Sequence, residues 1–173
     1  YGRLAYQTAY MKANYPTEYM TAILSAESGD TEKIAEIITE SKRMHIPILP
    51  PDVNASFGGF TIVDLDNVKE IRFGLYTIKN LGIDISDAIS AEREANVKFE
   101  SFTSFLERIR HKNLNKKSLE ALVKSGAMDG LGERGAILAN MEESLEYNRA
   151  QSSQNAAQAS LFGMMADTSS VPT

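Results

Sequence analysis

Residues 73–82 read FGLYTIKNLG, and IDISDAISAERE follows at once. A turn of mostly apolar residues runs into Lys79 and Asn80, then a Leu-Gly pair, then a second helix-like pattern. The form apolar, any, small, apolar, glycine is met by Ile78, Lys79, Asn80, Leu81 and Gly82, and it lets two short helices meet at a sharp angle. Asn80 can take a left-handed backbone, less readily than glycine, and Gly82 removes the side chain where a backbone or ligand approaches closely. Leu81 is expected to point back between the helices as the anchor. The N–H groups around Leu81, Gly82 and Ile83, with the positive end of a helix capped by Asp84, then make an anion site suited to one phosphate oxygen. Contacts of this kind position a duplex and read no bases. A Schellman-type helix end followed by a new helix is written with the same letters.

A second basic turn favours the phosphate reading. HKNLN (111–115) also precedes a helix, KKSLEALVKSGAMDGLG, in which Lys112, Lys116 and Lys117 take polar-face positions while Leu119, Leu122 and Val123 face a core. Two such helix-hairpin-helix elements side by side would engage successive phosphates, and neutralising Lys116 and Lys117 together would lower the log–log salt slope of binding by about 2.

The net charge of −5 argues, taken globally, against a nucleic-acid binder. The average conceals a pattern. Residues 1–68 carry 5 basic and 9 acidic side chains, residues 125–173 carry 2 and 6, and residues 69–124 carry 11 and 8. Within that positive middle block, residues 108–124 hold 6 basic side chains against 1 acidic. Such a segment can supply the local field a phosphate backbone needs. The competing reading is a solvated face on a structural or protein-interaction helical module with no direct DNA contact.

At 173 residues and 43% hydrophobic, the chain can bury a core as one domain or as two small ones in contact. The absence of cysteine excludes disulfides and thiolate metal sites and favours a cytoplasmic setting. No signal peptide or long apolar run is present, so no membrane partner is expected. Tyr1 falls inside a helical pattern, so a piece of a longer chain is expected.

The fold class expected is mainly α with a small β-hairpin or short sheet (α+β). Leu4, Ala5, Ala9, Tyr10 and Ala13 form one helical stripe, interrupted at Pro16 and restarted at Thr17 and Glu18; Tyr19, Met20, Ile23 and Leu24 form the next apolar face. Asp30 caps a third helix that turns Ile34, Ile37, Ile38 and Ser41 inward. FTIV (60–63) and EIRF (70–73) predict a hairpin turned by DLDN, with Ile46–Leu49 joining its edge. Helices are then expected near 74–79 and over 84–95, 101–110, 115–125 and 133–150. The expected divisions are 1–50, a helical layer; 51–73, a small β element and connection; 74–130, a tandem helix-hairpin-helix region; 131–150, a C-terminal helix; and 151–173, a linker or tail.

Carboxylates for metal-dependent phosphoryl transfer are not evident as a cluster. Asp52, Asp64, Asp66, Glu70 and Asp129 each read as turn or cap residues, and His45 and His111 belong to different elements. No catalytic or metal-binding residues are assigned. Tyr6, Tyr10, Tyr15 and Tyr19 share one stripe and are expected to face a core.

AYQTAYMKANYPTEYM (5–20), ILPPDVNASFGGFTI (48–62), IRFGLYTIKNLG (71–82) and NKKSLEALVKSGAMD (115–129), in this order, resemble the bacterial replicative DNA polymerases of family C, the polymerase III alpha-subunit family. The similarity runs from Tyr1 to about Gly163, including QASLFG (158–163). It implies part of a fingers domain followed by tandem helix-hairpin-helix motifs holding duplex primer–template DNA, with Lys79, Asn80, Leu81, Gly82, Ile83, Lys112, Lys116 and Lys117 at the backbone. Asn80 stands where glycine is frequent in such motifs. The family's catalytic palm, with its Mg²⁺, lies upstream, so this chain alone is expected to be inactive and to need no cofactor. The resemblance also offers Arg3, Tyr6, Tyr10 and Lys12 as a nucleotide or template contact. Its implied partners are the remaining polymerase domains and, through the parent protein, the sliding clamp and other replisome subunits.

Overall fold

Pro16 begins a helix as well as ending one. Helix α1 (Gly2–Asn14) stops at Tyr15, whose non-helical backbone (φ −134°, ψ 60°) also caps α2 (Pro16–Ala26). Proline suits the first helical position, where its missing N–H has no acceptor to lose, so the restart falls one residue earlier than the sequence suggests. In this computed structural model, which describes residues 1–147 and Ala150, α3 (Thr31–Arg43) comes next. Asp30 caps it by accepting the N–H groups of Glu32 and Lys33 at 3.1 and 3.2 Å, an arrangement worth about 1 kcal/mol.

Three strands follow: β1 (Ile48–Leu49), β2 (Thr61–Leu65) and β3 (Val68–Arg72), in the order β1-β3-β2. The β2–β3 pair is antiparallel, and β1 lies parallel to β3 with Ile48 opposite Ile71. Asp66 and Asn67 both have left-handed backbones, φ 53° and 64°, the requirement of a two-residue type I′ hairpin. The strands therefore absorb Asp64 and Leu65, which read as turn residues in the sequence. One sheet face packs on α2, burying Ile71, Phe60, Met20, Leu24 and Ile46, with Ile34, Ile37 and Ile38 of α3 at the margin.

A second core lies beyond β3. It gathers a three-residue 3₁₀ turn (Leu75–Thr77), α4 (Ile83–Ala95), α5 (Phe102–Arg108), α6 (Lys116–Lys124) and α7 (residues 134–147) around Ile85, Ile89, Phe105, Leu119, Leu122 and Met141. The loop before β2 is tied to this core. Val53 N–H donates to Ala127 C=O at 2.9 Å, Asn54 exchanges two hydrogen bonds with the Phe99 main chain at 2.8 and 2.9 Å, and Arg93 donates to the Val53 and Ser56 carbonyls. The expected tail, with Leu161 and Phe162, lies outside the described residues.

The tyrosine stripe departs from expectation. No residue of α1 is buried, and Tyr6, Tyr10 and Tyr15 are 71%, 49% and 48% exposed, so only Tyr19 packs against a core. Periodicity marks a face but not what covers it.

Candidate nucleic-acid interface

The first turn is closed by Leu81 N–H donating to Ile78 C=O at 3.1 Å. Asn80, third of the four residues, has φ 68°, which this turn demands and which asparagine tolerates better than other side chains. Leu81 is buried as the anchor, as its spacing predicted. Its amide is spent on the turn, however, so the unsatisfied donors next to it are those of Gly82 and Ile83 at the start of α4, where no intrahelical acceptor exists. Asp84 is not the cap. The helix begins at Ile83 behind Gly82, and the Asp84 carboxylate accepts Ile85 N–H at 3.0 Å and the side-chain amide of Asn113.

The second turn is built differently. Leu114 N–H donates to His111 C=O at 2.9 Å, and Asn115 and Ser118 form a reciprocal capping box at the start of α6. The box consumes the Asn115 and Ser118 amides and leaves those of Lys116 and Lys117 without an intrahelical acceptor at the helix start.

The two units face each other reciprocally. Asn113 of the second turn meets the start of α4, while Lys79 and Asn80 of the first turn line a groove of about 580 Å³ with Lys117, Ala121 and Lys124 of α6. Lys79 and Lys117 thus share one face, and both are exposed without an ion-pair partner among the described residues. Lys112 is exposed at the tip of the second turn.

The basic run 108–124 is not one free surface. Arg108 turns inward: it pairs with Glu92 at 3.0 Å, donates to Val97 C=O at 2.8 Å and lies over the Phe99 ring, 4.4 Å from its centroid. Lys116 pairs with Glu142 of α7, and Lys124 with Glu120 at 3.0 Å. The Glu142 carboxylate is held below its ordinary range by the Lys116 hydrogen bond, and Lys116 is raised by the same contact. The Lys124–Glu120 pair is one helical turn apart, but the Arg108 and Lys116 pairings span 16 and 26 residues and leave no mark in local composition.

The second candidate cluster, Arg3, Tyr6, Tyr10 and Lys12, is on α1. The Tyr6 and Tyr10 rings stack with centroids 6.4 Å apart and stand open, but Lys12 is engaged by Glu40 of α3 at 2.8 Å. Of the carboxylates weighed for metal chemistry, Asp52, Asp66 and Asp129 have local structural places, whereas Glu70 Oε2 is buried without a hydrogen-bond partner. Asp52 closes an Asx turn on Asn54 N–H, Asp66 occupies the hairpin turn, and Asp129 chelates Arg134 through two 2.6 Å bonds. Among the described residues no three His, Asp or Glu side chains gather where they could hold a metal ion.

Two tight interhelical turns, set reciprocally on one core, define the class of this region. The chain belongs to the helix-hairpin-helix family, whose pattern, described as "Helix-hairpin-helix motif", matches residues 45–138. Over 172 residues it is 42% identical to DNA polymerase III subunit alpha of Thermus aquaticus, covering 99% of this chain and 14% of that protein. The same subunit of Deinococcus radiodurans is 41% identical over 165 residues (95% of this chain, 12% of that protein), and that of Borreliella burgdorferi 41% over 167 residues (95% and 14%). The resemblance read from the sequence therefore holds over nearly the whole chain, which corresponds to one short segment of these subunits.

Proposed function

We propose that this chain is the segment of a bacterial DNA polymerase III alpha subunit that holds duplex primer–template DNA by its phosphate backbone. The observation that carries this reading is the reciprocal pair of turns, with Lys79 and Lys117 on one groove and unspent amides at Gly82–Ile83 and Lys116–Lys117. Amides at helix starts bind anions, and lysines beside them supply the counter-charge a phosphate requires. Helices α1 to α3 form the adjoining part of the fingers, with Arg3, Tyr6 and Tyr10 toward nucleotide or template. Nucleotidyl transfer with Mg²⁺ belongs to a palm elsewhere in the parent enzyme, as do its contacts with the sliding clamp and other replisome subunits, in the bacterial cytoplasm. Among the described residues no helix is long and apolar enough to cross a membrane.

The test is a duplex-DNA binding titration of the chain across a salt series. Weak, sequence-independent binding with a steep negative log–log slope is expected, with duplex preferred over single strand. A folded chain that ignores duplex at low salt would favour the interaction-module reading instead.

A further inference from the structure

Asp84 places a carboxylate beside the very amides, Gly82 and Ile83, that the proposed phosphate contact uses. An acidic group there opposes a polyanion; the start of α4 favours a carboxylate through the helix dipole, but that does not say why this one reaches the second turn. Geometry does. Among the described residues, the side-chain hydrogen bond that joins the two turns runs from the Asn113 amide to Asp84 Oδ2, and His111 Nε2 stands 3.8 Å from the same oxygen. The other oxygen, Oδ1, accepts Ile85 N–H at 3.0 Å, so the carboxylate is held at both ends. On the second turn, Asn113 main-chain N–H donates to His111 Nδ1 at 3.3 Å, which holds the imidazole against the turn.

Gly82 supports this assignment independently. Its backbone, φ −70° and ψ 150°, is open to any residue, so no left-handed conformation requires glycine. A Cβ there would instead sit 2.3 Å from Asp84 Oδ1. The missing side chain makes room for the carboxylate as it crosses toward the second turn. The bond from Asn113 holds the Asp84 carboxyl below its ordinary range, with help from Ile85 N–H and His111, so it stays an anion at neutral pH.

We propose that Asp84 is a positioning residue that clamps the two turns at the spacing at which both meet the DNA backbone together. The inference rests on the backbone-binding reading and adds the device that couples its two halves. Without the clamp, the second turn and its Lys112 and Lys117 no longer register with the phosphates while the first turn is engaged.

The test compares salt-dependent duplex binding by the 173-residue chain and its Asp84→Ala, Asp84→Asn and Asn113→Ala variants, with folding checked by circular dichroism. Asp84→Ala is expected to weaken binding about tenfold, the equivalent of one charge-assisted hydrogen bond. It should also lower the salt slope by about 1 to 2, although no cation has been removed. Asn113→Ala should reproduce both effects, and the double variant should be no worse than either single one. Asp84→Asn keeps one oxygen, enough for Asn113 but not for Ile85 N–H as well, and should bind more tightly than Asp84→Ala. A bystander carboxylate predicts the reverse: Asp84→Ala would bind more tightly with the slope unchanged, and that result overturns the clamp while leaving backbone binding intact. If Asp84→Ala loses its fold, the exposed Asn113→Ala decides the matter alone. A folded parent chain that binds no duplex overturns the clamp and the backbone reading together.

Discussion

Lys116, at the first position of α6, donates its ammonium to the carboxylate of Glu142 on α7, while Lys117, the next residue, lines the groove beside Lys79. Two adjacent lysines that look equivalent in sequence thus have different electrostatic standing. One is compensated within the protein, and the other is available to an incoming anion.

Lys117→Gln should therefore lower the log–log salt slope of duplex binding by about 0.9, the contribution of one phosphate contact. Lys116→Gln should change it much less, and the double variant by about 1, half the value expected from the sequence. Glu142→Gln should release Lys116 and steepen the slope. Fluorescence anisotropy across a potassium chloride series measures all four.

Arg108 belongs to the same basic run but acts in the fold. Its guanidinium bonds Glu92 and the Val97 carbonyl and covers Phe99. Arg108→Ala should destabilise the chain by about 2–3 kcal/mol, since hydrogen bonds to a largely buried charged group are lost and their acceptors left behind. The salt slope of the remaining folded protein should not change. Urea denaturation and the binding titration separate the two effects.

Asn80 holds a left-handed backbone at φ 68° in an exposed turn. Asn80→Val should cost about 1–2 kcal/mol, because a Cβ-branched residue is crowded against its own carbonyl there. Asn80→Gly should preserve the turn, and with it duplex binding. Melting temperatures of the two variants should diverge, and equal values would show that the turn relaxes freely.

Gly74 stands where β3 leads into the 3₁₀ turn. A Cβ at this position would lie 2.2 Å from Gly58 C=O and 2.3 Å from the Gly59 main chain, and Leu75 and Tyr76 N–H groups bond the same loop at 2.8 and 2.9 Å. Backbone on both sides leaves nothing flexible to move. Gly74→Ala should destabilise the chain by about 3 kcal/mol, the upper range for overpacking. Gly59→Ala, where a Cβ meets open space, should be tolerated in the same denaturation assay.

Local stereochemistry was legible in the sequence, because turns and caps depend on neighbours within a few residues. Asp30 as a helix cap, Leu81 as a buried anchor, Asn80 in a left-handed turn and a short hairpin between two β-prone runs all follow from side-chain shape and nearby hydrogen bonding. Which charges remain free did not follow. A charge count over 108–124 treats Arg108, Lys116 and Lys117 alike, yet an ion pair needs its partner within about 4 Å. Whether Glu92 or Glu142 arrives there is decided by how α4 and α7 pack. The Asp84–Asn113 bond, across 29 residues, and the open tyrosines of α1 have the same origin. Periodicity and composition act along the chain, whereas neutralisation, coupling between turns and the covering of a face are settled by contacts between segments that only the folded structure brings together.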